Sequence, residues 1–264
     1  MSTAVPTTHQ PGMGLIPQSH YPDHPDAQRP ALPMDTVIGI PEYLDFRTVV
    51  DIPVQDQDGV NCCTAGAVSG LVAFERAMQG EAYFPPSMLF NYAYSRKRLG
   101  ITGDNGSTLS AALASAVNEG ICSEGVPAAA GRWEFDPALV AVMPNDAAVF
   151  AAKHHRASWH WSVPNTTDGI FQALVRHHPV CFGMAVYGGF MAPGLGGLIP
   201  EPGGTFIGNH GVTFWGYDLR PGSPTYQHFL LRNQWGLGWA DNGYGWLPMD
   251  YPVYDCWVIA RESA

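Results

Sequence analysis

The sequence predicts an α+β fold in which a helical amino-terminal half is followed by a β-rich carboxy-terminal half. Three observations carry this reading. Apolar residues recur at helical spacing between residues 63 and 119, β-type runs dominate from Val180 onward, and a proline- and alanine-rich stretch near residues 126–144 separates the two patterns. With 264 residues and 46% apolar composition, the chain suits one two-lobed unit with a sizeable core better than a string of domains.

Residues 1–37 hold seven prolines, three histidines and few large apolar side chains, too little buried surface for an independent domain. Two readings stay open for this arm, a disordered leader or a segment lying across the lobes or filling a cleft. His20 and His24 flank a proline, which prevents a shared helical face, so no metal site is expected there.

The first helix is expected at or just before Cys63, with Ala67, Leu71, Phe74 and Met78 at helical spacing and Gly80 as its stop. A second is expected over residues 87–98, ended by Gly100. A third covers residues 107–119, ended by Gly120, with Leu109, Leu113 and Val117 as its apolar stripe and Ser107 as its cap. One more short helix falls at residues 168–177. Strands are expected at residues 180–187, 211–217, 228–232, 244–247 and 256–260.

Charged residues are only 14% of the chain, against roughly 25% in typical soluble domains. The formal net charge of −10 argues against a nucleic-acid partner, since phosphate binding draws on clustered Lys and Arg. The run Arg96-Lys97-Arg98 reads as a solvated helix end. Five cysteines, Cys62, Cys63, Cys122, Cys181 and Cys256, form an odd set without Cys-x-x-Cys spacing, so neither a disulfide framework nor a zinc site is expected. No positive segment precedes an apolar one at the N-terminus and no stretch of about 18 apolar residues occurs, so a cytoplasmic protein without membrane attachment is expected.

Three residues sit in contexts that suit a thiol-based acyl-transfer site. Cys63 follows Gln57-Asp58-Gly59-Val60-Asn61-Cys62 and opens the first helix. His210 lies in Gly208-Asn209-His210-Gly211-Val212, and Asn233 in Leu230-Leu231-Arg232-Asn233-Gln234-Trp235-Gly236. In that order they supply a nucleophile, its base and the orienter of that base. Each has a plain competitor: most cysteines near helix starts are small buried side chains, the reading taken for Cys62, and most of the ten histidines are structural or exposed. Cys181, on an apolar strand, is read as core.

These motifs resemble the papain-like cysteine peptidases from about Ile40 to the C-terminus. Pro41-Glu42-Tyr43-Leu44-Asp45-Phe46-Arg47 looks like the start of the mature domain in that family, Gly103-Asp104-Asn105-Gly106-Ser107 like its glycine-rich cleft loop, and the block from Asn233 to Trp239 with Asp241-Asn242-Gly243-Tyr244 is the most specific match. Many secreted members have Cys-Gly-Ser-Cys-Trp at the nucleophile, where this chain has Val60-Asn61-Cys62-Cys63-Thr64. Val60 and Asp104 stand where those relatives place a disulfide pair. Thr64 and the Gly12-Met13-Gly14-Leu15-Ile16-Pro17 segment look like a bacterial branch lacking the usual disulfides.

The resemblance implies a helical lobe at about residues 54–140 and a β-barrel-like lobe at about residues 145–264, with the active site in the cleft between them. It implies catalysis by Cys63, His210 and Asn233, with Trp235 shielding the His210–Asn233 bond and Gln57 donating to the oxyanion beside the Cys63 N–H. A helix N-terminus and an imidazolium neighbour lower a thiol pKa, so a resting thiolate is expected. Asn105, Gly106 and Ser107 are expected to pair with an extended peptide, and Gly183, Gly208 and Asn209 to border a roomy subsite whose floor comes from residues 255–257. Three functions follow as alternatives: a cysteine peptidase acting on peptides or proteins, an acyltransferase or cyclising enzyme acting on acyl or amide small molecules, and an idle binding module. No cofactor is expected for any of them.

Overall fold

The computed structural model describes residues 11–28, 30–34, 39–125 and 131–260. Helix α1 (Cys63–Met78) is buried from Cys63 to Phe74 and forms the axis of the molecule. Its Gly66 and Gly70 let the β lobe close onto it: a Cβ at these positions would stand 2.7 Å from Gln234 and 2.6 Å from Arg232 respectively. Beside it lie α2 (Met88–Leu99) and α3 (Leu109–Asn118). Ser87 caps α2 by accepting the Phe90 N–H, and Gly100 ends it in the left-handed conformation. The cap of α3 is Thr108, which accepts the Ala111 N–H. Ser107 does not serve as that cap; its hydroxyl turns inward to Thr64 (2.6 Å) and Ser95 (3.1 Å).

Two short helices follow, α4 (Asp146–Ala152) and α5 (Thr167–Leu174). The first was not expected, because its seven residues bury only two alanines and show little periodicity. The β lobe is one seven-stranded antiparallel sheet built from β1 (Tyr43–Asp45), β2 (Trp159–Ser162), β3 (Val180–Tyr187), β4 (Phe206–Asp218), β5 (His228–Arg232), β6 (Tyr244–Pro248) and β7 (Val253–Ala260). The order is β2-β7-β3-β4-β5-β6, with β1 taking over from β3 along the end of β4. The sheet stays open, which corrects the barrel-like expectation: β2 and β6 are edges that do not meet. At Gly216 a Cβ would stand 2.1 Å from the Leu44 carbonyl oxygen, so only glycine allows β1 to close on β4 there.

Arg96-Lys97-Arg98 is a solvated end only at Lys97. The Arg96 guanidinium is buried over the Tyr92 ring, 4.2 Å from its centroid, and bonds the Gly103 and Val140 carbonyls. Arg98 pairs with Glu119 at 2.9 Å and with Asp26 of the arm at 3.4 Å. The described residues of the arm thus touch the helical lobe. Leu32 is buried in the β-lobe core, and Pro30 and Leu32 extend the β2 edge through Ser162 N–H to Pro30 O (3.1 Å) and Leu32 N–H to Ser162 O (2.9 Å). All five cysteines are buried and unbridged. No helix among the described residues is long and apolar enough to cross a membrane.

Candidate active site

Cys63 is the first residue of α1, and the turn that delivers it is held by polar bonds in place of a crosslink. The Asp104 carboxylate accepts the Asn61 N–H at 3.0 and 3.1 Å, the Asn61 amide donates back to the Asp104 carbonyl at 2.9 Å, and the Tyr92 hydroxyl donates to Asp104 at 2.8 Å. Tyr92 in turn accepts the Gly106 N–H at 2.8 Å. Asp104, one of the two positions where a disulfide was expected to be missing, thus ties the glycine-rich loop to Asn61, the residue after the other position, Val60.

The opposite wall is built from the sheet. His210 sits on β4 opposite Met184 of β3, and its Nε2 lies 2.9 Å from Asn233 Oδ1 just after β5. A carbonyl oxygen only accepts, so Nε2 carries the proton and the neutral ring keeps Nδ1 as its basic nitrogen. Nδ1 is buried and has no partner among the described residues. Asn233 is fixed by the Gln234 N–H on the same oxygen at 2.9 Å. The Trp235 ring lies 4.6 Å from the imidazole, Phe190 stands edge-on to both, and the Trp239 Nε1 donates to the Phe190 carbonyl at 3.1 Å.

The two walls meet beside Cys63, at Thr64 and Gly211. Backbone N–H groups of Gly211, next to His210, and of Gly14 in the arm both act on Cys63, and a Cβ at Gly211 would stand 3.6 Å from Thr64. Gln57 is tied to the β lobe by its N–H on the Gln234 carbonyl at 2.9 Å. The expected low thiol pKa is not that of this closed cleft. Burial pushes the Cys63 thiol up to about 11 against those N–H groups, and burial lowers His210 to about 4 despite the Asn233 bond. Both are neutral here, because the desolvation of a fully covered pair outweighs the helix end.

What covers them is the arm. Gly12 N–H donates to the Asp58 carbonyl (3.0 Å), Met13 N–H to Asn61 Oδ1 (3.0 Å), Ser107 N–H to the Gly14 carbonyl (2.9 Å) and Ile16 N–H to the Ser107 carbonyl (2.9 Å), so that Leu15 bridges Ser107 in parallel. The Gln57 Nε2 donates to the Gly12 carbonyl at 2.9 Å and to the Val60 carbonyl at 2.7 Å. Leu15 is buried in one cluster with Cys63 and Trp257.

The candidate cleft residues divide accordingly. Gly106 and Ser107 lie against Gly14, Gly208 against Met13, and Gly183 beneath Leu15 and Tyr254. Asn209 accepts the Tyr254 hydroxyl at 2.8 Å. Asn105 is exposed and only closes its own turn onto the Thr102 carbonyl. The subsite is filled, not roomy, and its covering residue is Tyr254. Asp255 offers no acidic floor here, since its carboxylate is taken by the Gln18 N–H at 2.7 Å. Asn61, Phe190, Gln234 and Tyr254 were missed as site residues. Only the glycines of Gly12-Met13-Gly14 signalled the close approach that brings the arm onto Asn61. Among the described residues no group of three or more His, Cys, Asp or Glu side chains is placed to hold a metal ion.

Residues 40–258 match the family model described as papain family cysteine protease. The chain is 28% identical to an uncharacterized peptidase C1-like protein of Acanthamoeba polyphaga mimivirus, over 83% of this chain and 74% of that one. Among solved structures it is similar to xylellain, a cysteine protease from Xylella fastidiosa, with a TM-score of 0.79 and 25% identity over 99% of this chain and 100% of that one. Digestive procathepsin L 3 of Tenebrio molitor shares the fold at a TM-score of 0.68 and 19% identity, covering 88% and 74% of the two chains.

Proposed function

The chain belongs to the papain family of cysteine proteases, and from that premise we propose that it hydrolyses peptide bonds in peptides or proteins through Cys63, His210 and Asn233. The observation that carries this reading is the one-sided fixing of the imidazole: Nε2 is committed to Asn233 while Nδ1 is left basic, and Gly211, the residue after it, packs against Thr64, the residue after Cys63. Once the cleft is open and the pair regains solvent, the thiol proton passes to His210 Nδ1 and the thiolate attacks the substrate carbonyl carbon. The tetrahedral intermediate places its oxyanion on the Gln57 Nε2 and the Cys63 N–H. Gln57 already donates to a carbonyl oxygen in the cleft, that of Gly12, which supports this role. His210 then protonates the leaving amine, an acyl-thioester remains on Cys63, and water activated by the same ring releases the acid.

Asn233 holds the ring and Trp235, with Phe190 behind it, keeps water from that bond. Ser107 offers one N–H and one carbonyl to an extended peptide, the two groups that now hold Gly14 and Ile16. The test is digestion of a mixed peptide library by the full chain and by a Leu15→Asp chain, with and without an added amine. Cleavage that vanishes in Cys63→Ala and in His210→Ala is expected. Cleavage that persists in Cys63→Ala, or ligation to the amine without cleavage, would overturn the proposal.

A further inference from the structure

We propose that Gln234 is a positioning residue whose peptide and side chain together tie the oxyanion donor, the base, the orienter of that base and the nucleophile helix to a common frame; the inference rests on the peptidase reading above but is tested apart from it. The register of the sheet shows why such a residue is needed. β4 and β5 pair as far as Thr213 opposite Arg232, and two residues further along that register Gly211 would stand opposite Gln234. The ladder stops there. The backbone groups with which Gln234 would continue it are used elsewhere: its N–H donates to Asn233 Oδ1 at 2.9 Å and its carbonyl accepts the Gln57 N–H at 2.9 Å. The Gln234 side chain takes over the missing rung, donating from Nε2 to the Gly211 carbonyl at 2.8 Å.

The same side chain reaches both walls. A Cβ at Gly66, in the first turn of α1 after Cys63, would stand 2.7 Å from the Gln234 Cγ and 3.2 Å from its Cβ, so the nucleophile helix is seated on the stem of that side chain. Beyond the stem the amide meets Gly211, which packs on Thr64, and the His210 ring. The spacing of thiol and imidazole therefore depends on one residue that is only 1% exposed and held on every side. The amide also bears on the charge of the ring. Gln234 Nε2 stands 3.4 Å from His210 Nε2 and both nitrogens carry protons, so two donors face each other and the imidazolium is disfavoured. The other groups set around the ring among the described residues, Asn233, Trp235 and Phe190, are uncharged, and across the cleft lies the Cys63 thiol. A ring kept from holding its proton too firmly gives it up more readily to the leaving amine.

The experiment uses the full chain with Gly14→Val, where a Cβ would stand 1.8 Å from the Asn61 carbonyl oxygen and so keeps the arm off the cleft, and adds either Gln234→Met or Gly66→Ala. Methionine keeps the length of the stem without the amide, whereas alanine at position 66 keeps the amide and displaces the stem. Thermal unfolding checks that each chain is folded, and the second variant guards against a misfolded first. Hydrolysis of a peptide cleaved in the library is followed against pH, and so is alkylation of Cys63 by iodoacetamide, which needs no substrate. Gln234→Met is expected to lower kcat on the order of 100-fold with KM little changed. It should also raise the upper pH limit of kcat/KM, and the upper step of the alkylation profile, by about half a pH unit or more. Gly66→Ala is expected to repeat the fall in kcat. Undiminished kcat in the folded variants, or a fall in kcat that leaves both pH profiles unmoved, would overturn the role. A shifted alkylation profile in chains that hydrolyse nothing would support the role and remove the peptidase reading instead.

Discussion

The two walls of the cleft are made rigid in different ways. His210 rides on β4, paired with Met184 of β3, just before β5 joins the other edge of β4 at Thr213, so its backbone is fixed by the β3 ladder and its ring by Asn233, Trp235 and Phe190. Cys63 begins a helix, and the turn before it has no ladder; its position depends on Asp104, Asn61 and Tyr92, through three hydrogen bonds between loops and one from α2. The sheet wall is pre-formed by the fold, whereas the helix wall is assembled by side chains. Substitutions in these supports should therefore behave differently on the two sides even where the catalytic groups themselves are equally indispensable.

The largest effect, and the one that treats the walls alike, is loss of either reacting group. In the Gly14→Val background, Cys63→Ala and His210→Ala are each expected to lower kcat by about 10⁴-fold or more, and the double variant to lose little beyond either single one, because the two act as a unit. Additive losses in steady-state kinetics would mean that the two side chains do not share a proton. Next is Gln57→Ala, expected to cost about 10²- to 10³-fold in kcat with KM little changed, the signature of a donor used in the transition state. A loss confined to KM would make Gln57 a binding residue for the carbonyl that Gly12 now supplies.

The walls part company over their supports. Asp104→Ala removes the acceptor for the half-buried Asn61 N–H and for the hydroxyl of buried Tyr92 and is expected to cost about 1–3 kcal/mol in urea unfolding. It should also lower kcat, since the thiol loses its register. Asn233→Ala leaves the sheet intact, so its expected effect is on activity, about 10- to 100-fold by analogy with outer partners of ligating histidines, with a smaller change in stability. If Asp104→Ala were neutral in both assays, the hydrogen-bonded junction would not be what holds the nucleophile turn.

Much of this molecule was legible in its residues because the signals were local. The stop at Gly100 belongs to helix chemistry that acts within one turn, and it was placed correctly. The strands at residues 180–187 and 228–232 kept their boundaries. The unread parts depend on partners far along the chain. β1 is three residues long and exists because β4 offers it an edge. Ser107 gave way to Thr108 as the cap of α3 because its backbone is engaged by the arm. The thiol pKa followed burial that no local motif encodes, since residues some fifty positions upstream supply the cover. Asp104 was marked as the place of an absent cysteine, but its role as a polar junction needed Tyr92 beside it.

The smallest expected effect tests the two sides by their pH responses, which have opposite signs. On the helical side, burial raises the Glu124 carboxyl to about 7, and its Oε2 has no hydrogen-bond partner. An acid whose folded pKa exceeds its unfolded value of about 4.5 holds its proton in the native state after the unfolded chain has lost it, so stability falls as pH rises from about 4.5 to about 7. On the sheet side, burial lowers His210, and also His178, to about 4. The unfolded chain binds those protons first, so that contribution is full above about 6.5 and is lost as pH falls toward 4. Glu124→Gln should therefore flatten the thermal-unfolding curve above pH 5, while His210→Asn should flatten it below pH 6.5 only in part, because His178 keeps its share. A Glu124→Gln chain whose Tm falls between pH 5 and pH 7 as steeply as wild type would show that the Glu124 carboxyl is not the source of that fall.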